Sequence, residues 1–154
     1  MTTSPTNRSY WVVPGKLAAG AYPNTHSVVS DDQFDVVEQL LRVGIGDFVN
    51  LTQDSPGGTE SHLVRYDKAI NGRASVSRFE IPDFAIPTVQ AMAAILDHID
   101  RQLAAGLGVY VHCWAGLGRT GTVVGCWLVR HRLGNSADVL SVIAKRRKGN
   151  QRAG

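Results

Sequence analysis

Val109-Tyr110-Val111-His112-Cys113-Trp114-Ala115-Gly116-Leu117-Gly118-Arg119-Thr120-Gly121-Thr122 decides how the chain reads. Three apolar or aromatic residues run into a His-Cys pair. A glycine-bearing loop follows, and from Val123 to Val129 an apolar helical pattern takes over. This order predicts a buried strand, a tight loop and a helix start. Such a turn aims backbone N–H groups at one point, and the helix dipole adds positive potential there. An anion fits that point, and Cys113 opens the loop beside it. Five residues separate Cys113 from Arg119, enough to arch the backbone around a phosphate-sized oxyanion. Gly116 and Gly118 are expected to take positive φ and let the backbone come close. Arg119 carries a planar fork that matches two phosphate oxygens. Cysteines at helix N-termini beside cations titrate at roughly 3.5–7.5 rather than near ~8.5, so Cys113 is expected to react as a thiolate.

His112-Cys113, five residues, then Arg119-Thr120 resembles the signature of the cysteine-dependent protein tyrosine phosphatase superfamily. The short chain and the form Gly116-x-Gly118-Arg119-Thr120-Gly121 are similar to its small dual-specificity branch, and the likeness extends over roughly residues 10 to 148. It implies an α/β domain with a central, mainly parallel twisted sheet flanked by helices, and phosphate-monoester hydrolysis through a cysteinyl-phosphate intermediate. Cys113 is then the nucleophile. Trp114, Ala115, Gly116, Leu117, Gly118 and Arg119 hold the phosphate, the loop positions chiefly through their N–H groups. Thr120 is expected to donate a hydrogen bond to the Cys113 sulfur. The resemblance gives His112 a supporting role, bonding to loop backbone rather than acting as a base. In Ile81-Pro82-Asp83-Phe84-Ala85-Ile86-Pro87, Asp83 lies thirty positions before Cys113 and resembles the family's general acid. An Asp between prolines is by itself a turn former; upstream of this motif we assign it to proton transfer.

Working outward, strands are expected at 10–13, 17–21, 48–51, 76–81 and 108–112, alternating with helices in the later part, which argues for a mainly parallel sheet covered by helices. Residues 1–9 read as a disordered arm and 10–154 as a single domain. Ser30-x-x-Gln33 is a capping-box candidate ahead of Phe34, Val37, Leu40 and Leu41, with Gly44 as the stop. Residues 52–61 form a Ser/Pro/Gly-rich loop carrying Asp54 and Glu60 with no basic cluster, and a short helix is expected within 61–70. Thr88 caps a helix that ends near Gly106. The helix after the central loop is expected to reach Leu133 and stop at Gly134. Asn135 or Ser136 caps a last helix ending in Lys145-Arg146-Arg147-Lys148, read as a solvated helix end matched to the dipole. Cys126 reads as a small core residue and His26, His62, His98 and His131 as surface residues.

The bulk numbers exclude several classes. Two cysteines, no apolar N-terminal leader and no apolar run long enough for a bilayer predict a cytoplasmic protein with reduced thiols and no membrane partner. A net charge of +3 mildly favours anionic partners and falls short of a nucleic-acid signature. No cluster of His, Cys and carboxylates has metal-ligand spacing, so no metal or cofactor is expected. A monomer is expected.

Gly116-x-Gly118-x-x-Gly121 also fits the dinucleotide fingerprint. Only 33 residues follow Gly121, without a clear second strand, so this is a poor second. A rhodanese-type sulfur transferase would have no use for Asp83, and a non-catalytic phosphate reader would have no use for the whole set of Cys113, Arg119, Thr120 and Asp83. The reading is therefore a protein tyrosine or dual-specificity phosphatase whose partner is a phosphorylated protein or a small phosphate ester. The alternative is a phosphatase of a nucleotide, lipid or RNA 5′ phosphate. Trp114, Ala115 and Leu117 stand where phosphoinositide-directed members tend to carry lysines, which disfavours a highly charged lipid head group.

Overall fold

Strand β5 (Gly108–His112) runs through the middle of the molecule, and both halves of the core are built on its alternation. The computed structural model describes residues 4–23 and 36–152. Around β5 lie β1 (Ser9–Val13), β2 (Leu17–Gly20), β3 (Ile45–Asn50) and β4 (Ser75–Arg78), in the sheet order β1-β2-β5-β3-β4. β1 and β2 pair antiparallel as a hairpin, and every other pairing is parallel. Helices α1 (Val36–Arg42), α2 (Asp67–Ile70), α3 (Val89–Ala104), α4 (Gly118–Arg130) and α5 (Val139–Arg152) complete the single α/β domain.

All five residues of β5 are buried, because helices cover both faces. Val109, Val111 and Cys113 enter the core beneath α3, α4 and α5 with Ile95, Ile99, Val124 and Leu128. Tyr110 faces the other way into a cluster with Phe48, Tyr66, Leu40 and Ile70 beneath α1 and α2. Period-two alternation thus sends the side chains of His112 and Cys113 to opposite faces.

The helices start and stop by local chemistry. Thr88 Oγ1 accepts from the Ala91 N–H at 3.1 Å, and Gly106, at φ +85°, ends the segment after α3. Asn135 Oδ1 accepts from the N–H groups of Ala137 and Asp138 at 2.8 and 3.0 Å ahead of α5. Two boundaries differ from the sequence reading. α4 ends at Arg130, and the reversal is made by Arg132 at φ +58°, with its N–H on Val129 C=O at 3.1 Å and Leu133 N–H on Leu128 C=O at 2.9 Å, not by Gly134. β4 stops at Arg78, yet the chain stays alongside β3 through Phe79 N–H to Asn50 C=O and Ile81 N–H to Leu51 C=O, each at 3.0 Å. Those bonds deliver Asp83 to the carboxyl end of the sheet.

Residues 4–8, within the segment read as an arm, form a turn whose buried Thr6 hydroxyl lies 2.7 Å from that of Ser9, itself buried at the start of β1. The capping box at Ser30–Gln33, Phe34 and His26 lie outside the described residues. Among the described residues, no helix is long and apolar enough to cross a membrane.

Candidate active site

The loop between β5 and α4 is held open by backbone contacts. Trp114 C=O accepts from the Tyr22 N–H at 2.9 Å, so that carbonyl is turned outward onto the segment that follows β2. Gly116 has φ +80°, and a Cβ there would sit 2.3 Å from Gly20 C. Both conformation and space demand glycine. Gly118, expected to share that role, does not: it begins α4 and has open space around its Cα. The first helical bond is Gly121 N–H to Leu117 C=O at 2.8 Å. The amides of residues 118–120 precede it and point along the axis at the site, where the positive end of the helix dipole lies.

Cys113 and Arg119 line one open pocket of about 450 Å³ with Asp83, Trp114, Ala115, Leu117 and Gly118. The structure therefore brings together the residues that the sequence reading assigned to thiol, guanidinium, carboxyl and loop. Cys113 is buried at the pocket floor. Asp83 Oδ1 lies 3.6 Å from Arg119 Nη2 and accepts from the Phe84 N–H at 3.0 Å, while its side chain remains half-exposed. Phe84 takes φ +63°, a strained value for a bulky residue, and its ring is 99% exposed. Ile86, Trp114 and Leu117 are also exposed around the pocket mouth.

Arg119 is held rigidly. Its Nη1 and Nη2 donate to Glu60 Oε1 and Oε2 at 2.7 and 2.9 Å, and Nη1 also reaches Ile81 C=O at 2.9 Å. Its Nε is buried and lacks a hydrogen-bond partner among the described residues. Burial alone would lower the Arg119 pKa, but the Glu60 hydrogen bonds outweigh it and the guanidinium stays charged. Those bonds hold the Glu60 carboxyl below its ordinary range against a smaller push from burial. Glu60 was visible in the sequence only as an acid in a loop; nothing local announced Arg119 as its partner.

His112 is fully buried behind the loop. Its Nδ1 lies 3.1 Å from Cys113 C=O, a pure acceptor, so Nδ1 carries the proton and Nε2 accepts from the Tyr66 hydroxyl. Burial pushes the His112 pKa down to about 4. The imidazole is neutral near pH 7 and belongs to the scaffold. Tyr22 packs edge-on against it at 5.1 Å between ring centroids and donates to Asp54 Oδ2 at 2.6 Å. Asp54 also accepts from Asn50 Nδ2 at 2.9 Å and Arg78 Nε at 2.9 Å. Burial pushes the Asp54 carboxyl up, and the bonds from Arg78, Tyr22 and Asn50 outweigh it, leaving it below its usual range.

One expected bond is not formed, and one cysteine lies elsewhere than expected. The Thr120 hydroxyl, expected to donate to the Cys113 sulfur, is buried and has no hydrogen-bond partner among the described residues. Cys126, expected in the core, is exposed, and both cysteines are free thiols. Val123, Val124, Trp127 and Leu128 form the buried stripe of α4, and position 126 falls outside it. Among the described residues, no group of three or more His, Cys, Asp or Glu could hold a metal ion.

Known proteins resemble this chain in sequence and in fold. The family model described as "polymorphic toxin system, DSP-PTPase phosphatase" matches residues 19–133. The chain is similar to the phosphatidylglycerophosphate phosphatase PTPMT1 of Arabidopsis thaliana, 41% identical over 46 residues, covering 30% of this chain and 14% of that protein. It is similar to the tyrosine-protein phosphatase cdc-14 of Caenorhabditis elegans, 28% identical over 128 residues, covering 78% of this chain and 16% of that protein. The chain thus spans well under a third of the length of either relative. Among solved structures, a mutant form of Tk-PTP superposes with a TM-score of 0.71 at 26% identity, covering 92% of this chain and 85% of that one. The chain belongs to the DSP-PTPase phosphatase family, within the cysteine-based protein tyrosine phosphatase superfamily.

Proposed function

We propose that this phosphatase acts on phosphorylated side chains of proteins, phosphotyrosine first, with Cys113 as nucleophile, Arg119 as phosphate clamp and Asp83 as proton donor. The single observation that carries the reading is that these three side chains line one pocket whose mouth is ringed by exposed apolar residues, Phe84, Ile86, Trp114 and Leu117. A phenyl ring is flat and apolar, and such walls suit it better than a sugar or glycerol.

In the proposed first step the Cys113 thiolate attacks phosphorus in line. The S–P bond forms as the P–O bond to the leaving group breaks. Amides of residues 114–119 and the Arg119 guanidinium stabilise the three equatorial oxygens. Asp83, protonated, gives its proton to the departing oxygen. In the second step a water attacks the cysteinyl-phosphate and gives its proton to Asp83, now ionised. The O–P bond forms, the S–P bond breaks, and sulfur leaves as thiolate. The buried, unpartnered Thr120 hydroxyl supports a role in easing that departure, because a donor without a partner is free to turn toward developing charge. Fixing the Nδ1–H tautomer of His112 supports a positioning role for this residue through the Cys113 carbonyl.

Cys113→Ser is expected to abolish turnover of an aryl phosphate while vanadate binding survives, and wild type should release a burst of phenol ahead of phosphate. Turnover unchanged in Cys113→Ser would remove the thiolate from the reaction. A second reading, a lipid phosphate monoester, is favoured by the same exposed apolar rim, since acyl chains could rest on it, and by one relative being named a phosphatidylglycerophosphate phosphatase. Faster hydrolysis of that lipid in vesicles than of phosphotyrosine peptides would decide for it.

A further inference from the structure

Both stems of the loop that carries Asp83 converge on one buried carboxyl group, Asp47, which does not line the reactive pocket. The incoming stem is β4 with its continuation to Phe79, and the outgoing stem is α3, capped by Thr88. Residues 80–87 lie between them, with Asp83 in that span. On β3, Asp47 pairs with Ser75 of β4, and Val49 pairs with Ser77. Residues paired or two apart share a face of a sheet. Val49 packs with Ile95 and Ile99 of α3, so the shared face is the one that α3 covers.

The Asp47 side chain has no exposed surface, and a carboxylate is costly to bury unless donors surround it. The Ser75 and Ser77 hydroxyls donate to its Oδ1 at 2.6 and 2.9 Å, and His98 Nε2 lies 2.5 Å from its Oδ2. A carboxylate only accepts, so Nε2 carries the proton and donates. The two serines belong to the incoming stem and His98 to the outgoing one. His98, expected at the surface, keeps only 15% of its side chain exposed, and its ring meets that of Phe79 with centroids 5.2 Å apart. Phe79 in turn is fastened to β3 by its N–H on Asn50 C=O. The stems are therefore joined twice, through Asp47 and through the contact of the two rings. Each serine bonds to the carboxylate rather than to the imidazole, so this Ser, His and Asp set does not have the order of a hydrolytic triad.

We propose that Asp47 and His98, with Phe79, are positioning residues for proton transfer: they clamp the two stems together and so set where the Asp83 carboxyl stands relative to the departing oxygen. The inference rests on the assignment of Asp83 as proton donor above and deepens it. A loop whose ends are fixed has few conformations, and releasing one end multiplies them. Misplacing a reacting group by about 1 Å can cost about 10²-fold in rate. The thiol and the loop amides are set by β5 and α4, and Arg119 chiefly by Glu60. Loosening the clamp therefore acts on proton donation and spares phosphate binding, and its signature is a loss that depends on the leaving group.

The test compares phenyl phosphate, whose phenol leaves poorly, with p-nitrophenyl phosphate, whose phenol leaves well. His98→Ala should lower kcat on phenyl phosphate by about tenfold, leave p-nitrophenyl phosphate within about twofold of wild type, and leave KM for both within about twofold. In an Asp83→Ala background the same substitution should change either rate by no more than about twofold, because no carboxyl is left to position. His98→Gln, which can still donate to Asp47, should recover most of the phenyl phosphate rate. Phe79→Leu, which keeps apolar bulk and loses the ring contact, should show the same selective loss at a few-fold. Far-ultraviolet circular dichroism melts establish that each variant is folded at the assay temperature, and Phe79→Leu decides the matter if His98→Ala is not. Parallel loss on both substrates in folded variants, or a further selective loss in the double variant, overturns the positioning role. A folded His98→Gln as slow as His98→Ala removes Asp47 from the device. Failure of the underlying reading looks different: Asp83→Ala would then lose equally on both substrates, and this inference would fall with it. Asp83→Ala with its selective loss, beside unselective His98→Ala and Phe79→Leu, overturns the positioning role alone.

Discussion

The back and the front of the reactive pocket are built on opposite principles. Behind the loop, His112, Tyr66, Tyr22, Asp54 and Arg78 form a chain of buried hydrogen bonds and ring contacts, and Arg119 is clamped by Glu60. In front, Phe84, Ile86, Trp114 and Leu117 stand in solvent, and Asp83 is half-exposed on a proline-bracketed loop. The difference teaches where this molecule fixes geometry and where it leaves choice. Groups that must meet phosphorus within a fraction of an ångström are held by partners that cannot move independently. Groups that meet the variable part of a substrate are left to adapt.

If that division is right, the largest effect at the front comes from its one reactive carboxyl. Asp83→Ala should lower kcat by about 10²–10⁴ on substrates with poor leaving groups and by far less on p-nitrophenyl phosphate; equal loss on both would take proton donation away from Asp83. At the back, Glu60→Gln should do damage of a different kind. It leaves the buried Arg119 charge half-paired, and breaking such a pair typically costs about 3–5 kcal/mol. A urea midpoint shift of that order with a fall in kcat is expected, and a variant as stable and active as wild type would show that the clamp is dispensable. The third test is a pH series. The folded His112 pKa of about 4 lies below its ordinary 6.5. Between those values the unfolded chain takes up a proton that the folded chain refuses. Stability should therefore fall as pH drops through this window, by up to about 3 kcal/mol from this group, and this contribution should level off above about pH 6.5. His112→Asn should flatten that part of the profile. The smallest effect is expected at the rim: Trp114→Ala should change KM for phosphopeptides by about threefold, the scale of a partly exposed apolar contact, with kcat unchanged. A large fall in kcat would move Trp114 from the adaptable half to the fixed one.

The same division explains what could be read in the sequence. β5, the loop and α4 are contiguous, so thiol, amides and guanidinium were legible from Val109 to Thr122, and Asp83 was legible from its prolines and its place upstream. The back of the site was not. Glu60 and Arg119 are 59 positions apart, Tyr66 and His112 46, Asp54 and Arg78 24. No local pattern pairs them, and Asp54 and Glu60 read as loop acids because their partners lie on other elements. Cys126 was a different failure. The stripe at 123, 124, 127 and 128 excludes it, because helical phase and not the apolar run around it decides which side chains are buried. Gly116 and Gly118 look alike in the sequence, and only the fold presses Gly116 against Gly20 and leaves Gly118 in open space.

The pleat of β5 carries a consequence for how this chain can change over generations. Sulfur and imidazole occupy adjacent positions and face opposite layers, so parity alone decides which one meets the substrate. Deleting or inserting a single residue between Gly108 and His112 would swing the thiol into the tyrosine cluster and the imidazole toward phosphorus. Side chains there can drift one at a time, but the count of residues in that strand is locked.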